Sequence, residues 1–330
     1  MSDSELPEDS QGLSSGKAPL DLLAAVFEAS RDPRVLQGPG IGLDAAAVEW
    51  GDRALVATSD PITFVEGNAG RLAVAVNAND IYAVGAEPEW MLATVLTPTG
   101  IEPAEIEALL TDLASACEDA GIGLIGGHTE ITDAVTRTVV SCTMLGSAPT
   151  GRIIPSDGAR HGDAIVQAGA AAVEGTAILG YPRLLEEPGI SIAAAARALR
   201  EVDGVHAMHD VTEGGIATAA LELAEAAGLS PALAFDDIVW LPETLAVCEE
   251  QDLEPLGLLG SGTLLAAVSP NAIDRALTEL SGAGVQASAI GRVAAGSPAT
   301  LRFGGQTGPL PRFVRDEALR AFDDVRRSTQ

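Results

Sequence analysis

Four aspartates stand where strand ends, turns or helix ends would present them, rather than on solvated helix faces. Asp44 follows the turn Gly38-Pro39-Gly40-Ile41-Gly42, and Asp60 ends the apolar run 55–59. Asp80 belongs to Asn77-Ala78-Asn79-Asp80, and Asp210 to His209-Asp210-Val211-Thr212-Glu213-Gly214-Gly215. Carboxylates gathered from such scattered segments repel one another unless a cation joins them. Hard oxygen donors suit Mg²⁺, which keeps several waters and is shared with substrate phosphates. Taken singly, each aspartate reads more readily as a cap or turn residue than as a ligand. Asp80 fits that reading least, because Asp and Asn are poor mid-helix residues and here interrupt an apolar helical pattern.

Two glycine-rich segments adjoin polar side chains. Gly126-Gly127-His128-Thr129-Glu130 follows a strand pattern. Thr212-Glu213-Gly214-Gly215 opens a helix, where free N–H groups and the helix dipole favour an anion. A phosphate cradle and a plain turn or cap stay open for both. Lys17 is the only lysine in the chain, against 18 arginines, and a sole surviving lysine suits a point-charge task such as meeting a phosphate. Other motifs fail. Gly12-Leu13-Ser14-Ser15-Gly16-Lys17 is one residue short of a P-loop, with Ala18 in place of Ser or Thr. Gly121-Ile122-Gly123-Leu124-Ile125-Gly126 matches GxGxxG but follows a helix and lacks the acidic ribose partner. His128-Thr129-Glu130 has no PCxxC after it, so a zinc deaminase is excluded. His161 and His206 read as surface or structural residues.

The elements that must position these groups follow from periodicity. Strands are expected at 45–48 and 55–59 around Gly51-Asp52, then at 90–96, 122–125 and 135–145. Asn68 caps an expected helix that stops at Gly85. Pro103 opens the clearest helix, with Ile106, Leu109, Leu110, Leu113 and Cys117 on one face and Gly121 at its end. An amphipathic helix is also expected at 20–29. After linker-like residues near 150, strands at 164–168 and 262–268 alternate with helices at 174–180, 191–201, 213–227, 270–282 and 314–327. That alternation predicts an α+β or α/β protein of two domains, 18–150 and 151–330, behind a polar segment at 1–17.

With 330 residues, 47% of them hydrophobic, the chain can bury a proper interior. Its net charge of −28 repels nucleic-acid backbones and anionic lipid, so neither is an expected partner. An acidic, lysine-poor surface is what a protein in concentrated salt needs to stay hydrated, and a halophilic setting is expected. Cys117, Cys142 and Cys248 are too scattered for a disulfide framework or zinc site and read as buried small hydrophobes. The acidic N-terminus lacks the features of a secretory signal, and no apolar run is long enough to span a bilayer; a cytoplasmic protein is expected.

Together the motifs resemble a known superfamily. Gly16-Lys17, Gly40-Ile41-Gly42-Leu43-Asp44-Ala45-Ala46, Thr58-Ser59-Asp60-Pro61-Ile62-Thr63, Asn77-Ala78-Asn79-Asp80-Ile81, Gly126-Gly127-His128-Thr129-Glu130 and His209-Asp210-Val211-Thr212-Glu213-Gly214-Gly215 come in the order of the aminoimidazole ribonucleotide synthetase (PurM-like) superfamily. Gly260-Ser261-Gly262-Thr263-Leu264-Leu265 and Ile290-Gly291-Arg292-Val293 are similar to its HypE branch. The resemblance implies a homodimer whose N-terminal domains share a β-barrel, with α/β C-terminal domains outside. It implies ATP held through Mg²⁺, with Asp44, Asp60, Asp80 and Asp210 as metal ligands. Asp60, Asp80 and Glu130 are then the catalytic candidates, Glu130 compensating for His128 where kinase-type relatives place a carboxylate. Lys17, Asn79, Gly126, Gly127, Thr129, Thr212, Glu213, Gly214 and Gly215 would bind the nucleotide. The implied chemistry is phosphorylation or dehydration of an amide- or acyl-type oxygen on a small-molecule or protein acceptor, or a role in hydrogenase and metallocofactor maturation. A thiamine-monophosphate-kinase-like phosphotransferase and a non-catalytic nucleotide-binding scaffold are the alternatives. Two departures matter. Leu43 stands where relatives often carry a second acid, and no cysteine follows Cys248 to serve as the tail thiol of the HypE branch.

Overall fold

The computed structural model describes Leu22, residues 32–63 and residues 69–328; Lys17, Asn68 and most of the helix expected at 20–29 lie outside the described residues. Six strands form the first sheet: β1 (Val35–Gln37), β2 (Ala46–Trp50), β3 (Arg53–Ile62), β4 (Glu87–Pro98), β5 (Gly123–Thr132) and β6 (Val139–Pro149). Their order is β1-β2-β3-β6-β4-β5, antiparallel except for the β4–β5 pair. Helix α1 (Ala69–Ala83) leads from β3 to β4, and α2 (Pro103–Ala120) makes the crossover that a parallel pair requires.

Helix α2 has the expected ends, Pro103 at its start and Gly121 in the left-handed region at its stop. Its burial differs from expectation. Leu113, Ala116 and Cys117 face the interior, whereas Leu110 of the anticipated apolar face is exposed. Strand β5 also corrects the sequence reading, which ended it at 125 and placed a glycine-rich segment beyond it. The strand continues through Gly126, Gly127, His128, Thr129 and Glu130. Gly127 makes this possible: with φ +153°, a Cβ there would stand 1.9 Å from the Ala93 carbonyl oxygen on β4.

The second sheet holds β7 (Ala164–Ala168), β8 (Val205–Asp210), β9 (Ser230–Ala234), β10 (Leu264–Val268), β11 (Ala287–Ala294), β12 (Thr300–Phe303) and β13 (Gln306–Pro309), in the order β13-β12-β9-β11-β7-β10-β8. Around it lie α3 (Val173–Ile178), α4 (Ala193–Leu199), α5 (Gly215–Glu225), α6 (Pro242–Gln251), α7 (Ile273–Gly282) and α8 (Glu317–Ser328). No described helix is long and apolar enough to cross a membrane.

Helix α1 lies between the two sheets, and 12 of its 15 residues are buried. One apolar cluster runs through it, from Ile81, Met91 and Cys142 on the first sheet's side to Leu199, Met208 and Leu264 on the second's. A helix buried on nearly every side belongs in such an interior. The same placement explains how Asn77, Asn79 and Asp80 come to be buried in mid-helix: they meet partners from both domains.

Candidate cation and nucleotide site

Asp80 lies at the centre of the site. Its Oδ2 accepts a hydrogen bond from the Thr58 hydroxyl on β3 at 2.6 Å. Burial pushes its carboxyl well above the usual carboxylate range, and the nearby charges of Asp210, Asp60 and Asp44 add to that push. All four sequence-predicted aspartates therefore converge here. Asp60 projects near the end of β3, its backbone N–H bonded to Asn77 Oδ1 at 3.1 Å. Asn77 also donates to the Ala73 carbonyl at 2.9 Å, so this buried amide fixes the strand to α1.

Asp44 and Asp210 approach from opposite domains. One carboxylate oxygen of each, with a ring nitrogen of His209, lie within 4.8 Å of one another. His209 Nδ1 is 2.6 Å from Asp44 Oδ1, and its Nε2 is 3.1 Å from Glu222 Oε2 on α5. The imidazole is 4% exposed. Burial opposes a charge on the ring, but Asp44 and then Glu222 outweigh it and hold the pKa well above the usual imidazole value. The Gly42 turn makes this approach possible. At φ +67°, a Cβ on Gly42 would stand 2.8 Å from the Glu222 carbonyl oxygen.

The donor set fits a divalent cation. Asp44 Oδ2 is buried without a hydrogen-bond partner, and four carboxylates share a poorly solvated space that a cation would neutralise. Beside them a cleft of about 330 Å³ opens between the Gly38–Asp44 turn and β3, lined by Leu43, Asp44, Ala46, Ser59 and Asp60.

Other predicted residues sit differently. Asn79 does not face the cleft, because both ends of its amide are used inside the protein. Its Nδ2 donates to the Ile190 carbonyl at 2.8 Å, and its Oδ1 accepts from the Ile192 N–H at 3.0 Å. The Gly214 N–H, expected to meet phosphate, donates instead to Asp316 Oδ2 at 2.8 Å. Burial raises Asp316 to about 6 even though backbone N–H groups, Gly214's among them, stabilise its charge. Gly126, Gly127, Thr129 and Glu130 lie on β5, outside the aspartate cluster of their own chain. The ladder runs Asp60–Cys142–Ala93–Gly127, three strand spacings or roughly 14 Å. His128 Nε2 is 3.4 Å from Glu130 Oε2, both side chains being exposed.

His209, Asn77, Thr58 and Glu222 are the residues that sequence reasoning missed. His209 had a visible signal, since it directly precedes Asp210, but no spacing in the sequence connects it to Glu222 or Asp44.

The chain, with its strand-rich first domain and α/β second domain, belongs to the AIR synthase related proteins. The family's N-terminal domain model matches residues 42–148 and its C-terminal domain model residues 160–303. Within the family the chain is 31% identical over 293 residues to carbamoyl dehydratase HypE of Cupriavidus necator, covering 84% of this chain and 83% of that protein. The crystal structure of Escherichia coli HypE is similar at a TM-score of 0.71 and 26% identity, covering 90% of this chain and 99% of that one. A HypE structure in complex with ATP shares the fold, with a TM-score of 0.71 and 23% identity over 93% of this chain and 98% of that one.

Proposed function

We propose that the chain is an ATP-dependent enzyme of the HypE type, which activates an amide- or acyl-type oxygen in the maturation of a metallocofactor. The observation that carries this reading is the convergence of Asp44, Asp60, Asp80 and Asp210 beside an open cleft, in a chain 31% identical to a carbamoyl dehydratase. These aspartates would hold Mg²⁺, which offsets the negative charge of nucleotide phosphates. The chain's own contribution is positional: Asn77 fixes the Asp60 backbone, Thr58 orients Asp80, and the Gly42 turn sets Asp44 against the second domain. Phosphorylating a carbonyl oxygen makes it a leaving group, so dehydration releases phosphate, whereas a kinase leaves phosphate on its acceptor. Cys117, Cys142 and Cys248 are all buried, so none of the three offers an accessible acceptor thiol.

The active unit in this reading is a homodimer. Every residue of β5 from Gly123 to Ile131 is exposed, with Leu124 and Ile125 beside Trp90 and Leu92 of β4 and Ile131 further along the same edge. An apolar, unpaired edge of this length favours a second copy. Burying it would let β5 of one subunit bring Thr129 and Glu130 to the aspartates of the other.

Calorimetric titration with ATP and Mg²⁺ tests the assignment. Asp60→Asn and Asp80→Asn are each expected to weaken binding at least tenfold, and unchanged affinity in both would overturn it. With a carbamoylated acceptor, ³¹P spectra are expected to show free phosphate; a phosphorylated acceptor would support kinase chemistry instead.

A further inference from the structure

Moving a phosphoryl group onto an acceptor oxygen leaves a proton to be taken up, from an O–H or, for an amide, from an N–H. The four clustered aspartates are committed to the cation, so that proton needs another base. We propose that Glu174 and Ser261 form a proton relay on the acceptor side of the nucleotide site, Ser261 meeting the acceptor and Glu174 holding the proton it loses. The inference rests on the ATP-dependent reading above.

Three strand ends bring the pair to the site. Ala168 of β7, Leu264 of β10 and Asp210 of β8 lie in one row across the second sheet, two strand spacings or roughly 10 Å. Glu174 follows the end of β7 and Ser261 precedes β10, so both stand at the sheet edge that presents Asp210. Their segments are interlocked. The Gly175 N–H donates to the Leu259 carbonyl at 2.9 Å, and the Thr263 hydroxyl to the Ala170 carbonyl at 2.7 Å. On the other side, the Gly260 N–H donates at 3.2 Å to the carbonyl of Thr212, two residues past Asp210. Gly262 packs closely on Gly189 and Ile190, and the Ile190 carbonyl is held by Asn79, next to Asp80. Ser261 is thus tied to the aspartate cluster from both domains without belonging to it. It is buried, but Thr212 and Gly262 beside it are partly exposed, so it lies just beneath the surface.

Glu174 has the chemistry of a proton store. Its side chain is buried and hydrogen-bonds the Ser261 hydroxyl. The charges that face it, Glu213 ahead of α5 and Asp316 ahead of α8, are both negative. Burial chiefly, with those two acids, outweighs the Ser261 hydrogen bond and pushes the carboxyl up to about 7. There it can take and return a proton near neutrality. In the relay, the acceptor's proton passes to the Ser261 oxygen as the hydroxyl's own proton passes to the Glu174 carboxylate. Ser261 ends unchanged and Glu174 ends neutral, while the acceptor oxygen bonds to the phosphorus whose bond to ADP breaks.

The test follows phosphate release by the full chain from saturating ATP and Mg²⁺, with water as the acceptor, between about pH 5.5 and 9. The unaltered rate is expected to rise through about pH 7. Glu174→Gln keeps the side-chain shape and can still accept from Ser261, so a purely structural role predicts little change. The relay predicts a loss of at least about twentyfold at pH 8 and a flat profile through 7, with ATP affinity by calorimetry unchanged. Glu174→Asp should restore part of the rate together with its pH dependence, and Ser261→Ala should not. Asp316→Asn should move the midpoint down without lowering the plateau, because one charge facing Glu174 is gone. Variant and unaltered rates are compared at each pH, which cancels the titration of the nucleotide itself. Turnover whose rate and profile are indifferent to Glu174→Gln overturns this inference alone. ATP that is bound but not turned over, with water or the carbamoylated acceptor, overturns the relay and leaves nucleotide binding intact. An unaltered chain that does not bind ATP overturns the proposed function and this inference with it.

Discussion

Asp80 and Glu174 show how burial makes carboxylates pH-dependent. Without a cation, Asp80 is destabilised by burial and by three neighbouring acids. Asp80→Asn is therefore expected to raise the melting temperature in chelator and to remove most of the stabilisation that added Mg²⁺ gives the unaltered chain. Thermal scans with and without Mg²⁺ measure both. Glu174, near Ser261, Glu213 and Asp316, is pushed up to about 7, chiefly by burial. A carboxyl raised in the folded state favours the neutral form, so its contribution is complete below about pH 4.5 and is lost as pH rises through 7. Glu174→Gln should consequently stabilise the protein at pH 8, by on the order of 2 kcal/mol, with the gain gone near pH 4. Denaturant titrations across that range read the difference, and a gain that is the same at both ends would contradict the assigned cause. At this scale the aspartates were legible because Asp is out of place inside an apolar helix or after an apolar run. Asn79 misled for the same reason. Its oddity was real, but its amide joins α1 to residues 190–192 rather than meeting a ligand.

Among the elements, strands rich in bulky or alternating residues were readable, and those made of small residues were not. The strand at 164–168 was foreseen with its observed bounds, as was the helix from Pro103 to Gly121 within a residue. Strands β9, Ser-Pro-Ala-Leu-Ala, and β11, Ala-Ser-Ala-Ile-Gly-Arg-Val-Ala, carry little intrinsic preference and form because their sheet neighbours pair with them. Strand β5 was cut short because two adjacent glycines usually punctuate, whereas here Gly127 lets two backbones come close. Gly127→Ala is thus expected to loosen β5 from β4, seen as faster hydrogen exchange from residues 123–132 while the second sheet stays protected. In the same way, Gly42→Ala should push the first turn away from α5 and weaken cation binding more than it lowers stability, which a paired calorimetric and thermal measurement separates.

For the whole molecule, charge and assembly dominate. A net charge of −28 sets the surface against itself, and salt screens that repulsion. The melting temperature should climb between about 0.1 and 2 M KCl if the acidity is a halophilic adaptation; a flat or falling trend would reject that origin. Ile131→Asp, on the exposed edge, should give a monomer by light scattering and suppress ATP turnover without altering the melting of the individual subunit. The partnership was implied only by the family resemblance, since β5, with Leu124 beside Ile125 and Gly126 beside Gly127, carries no alternation, and its exposure becomes apparent only once the sheet is assembled. The shared helix α1 carries one last consequence. Because the same buried segment completes the interior of both halves, neither half has a finished core without the other. Differential scanning calorimetry should therefore record a single endotherm whose van't Hoff and calorimetric enthalpies agree, and a fragment ending near residue 150 should remain aggregation-prone.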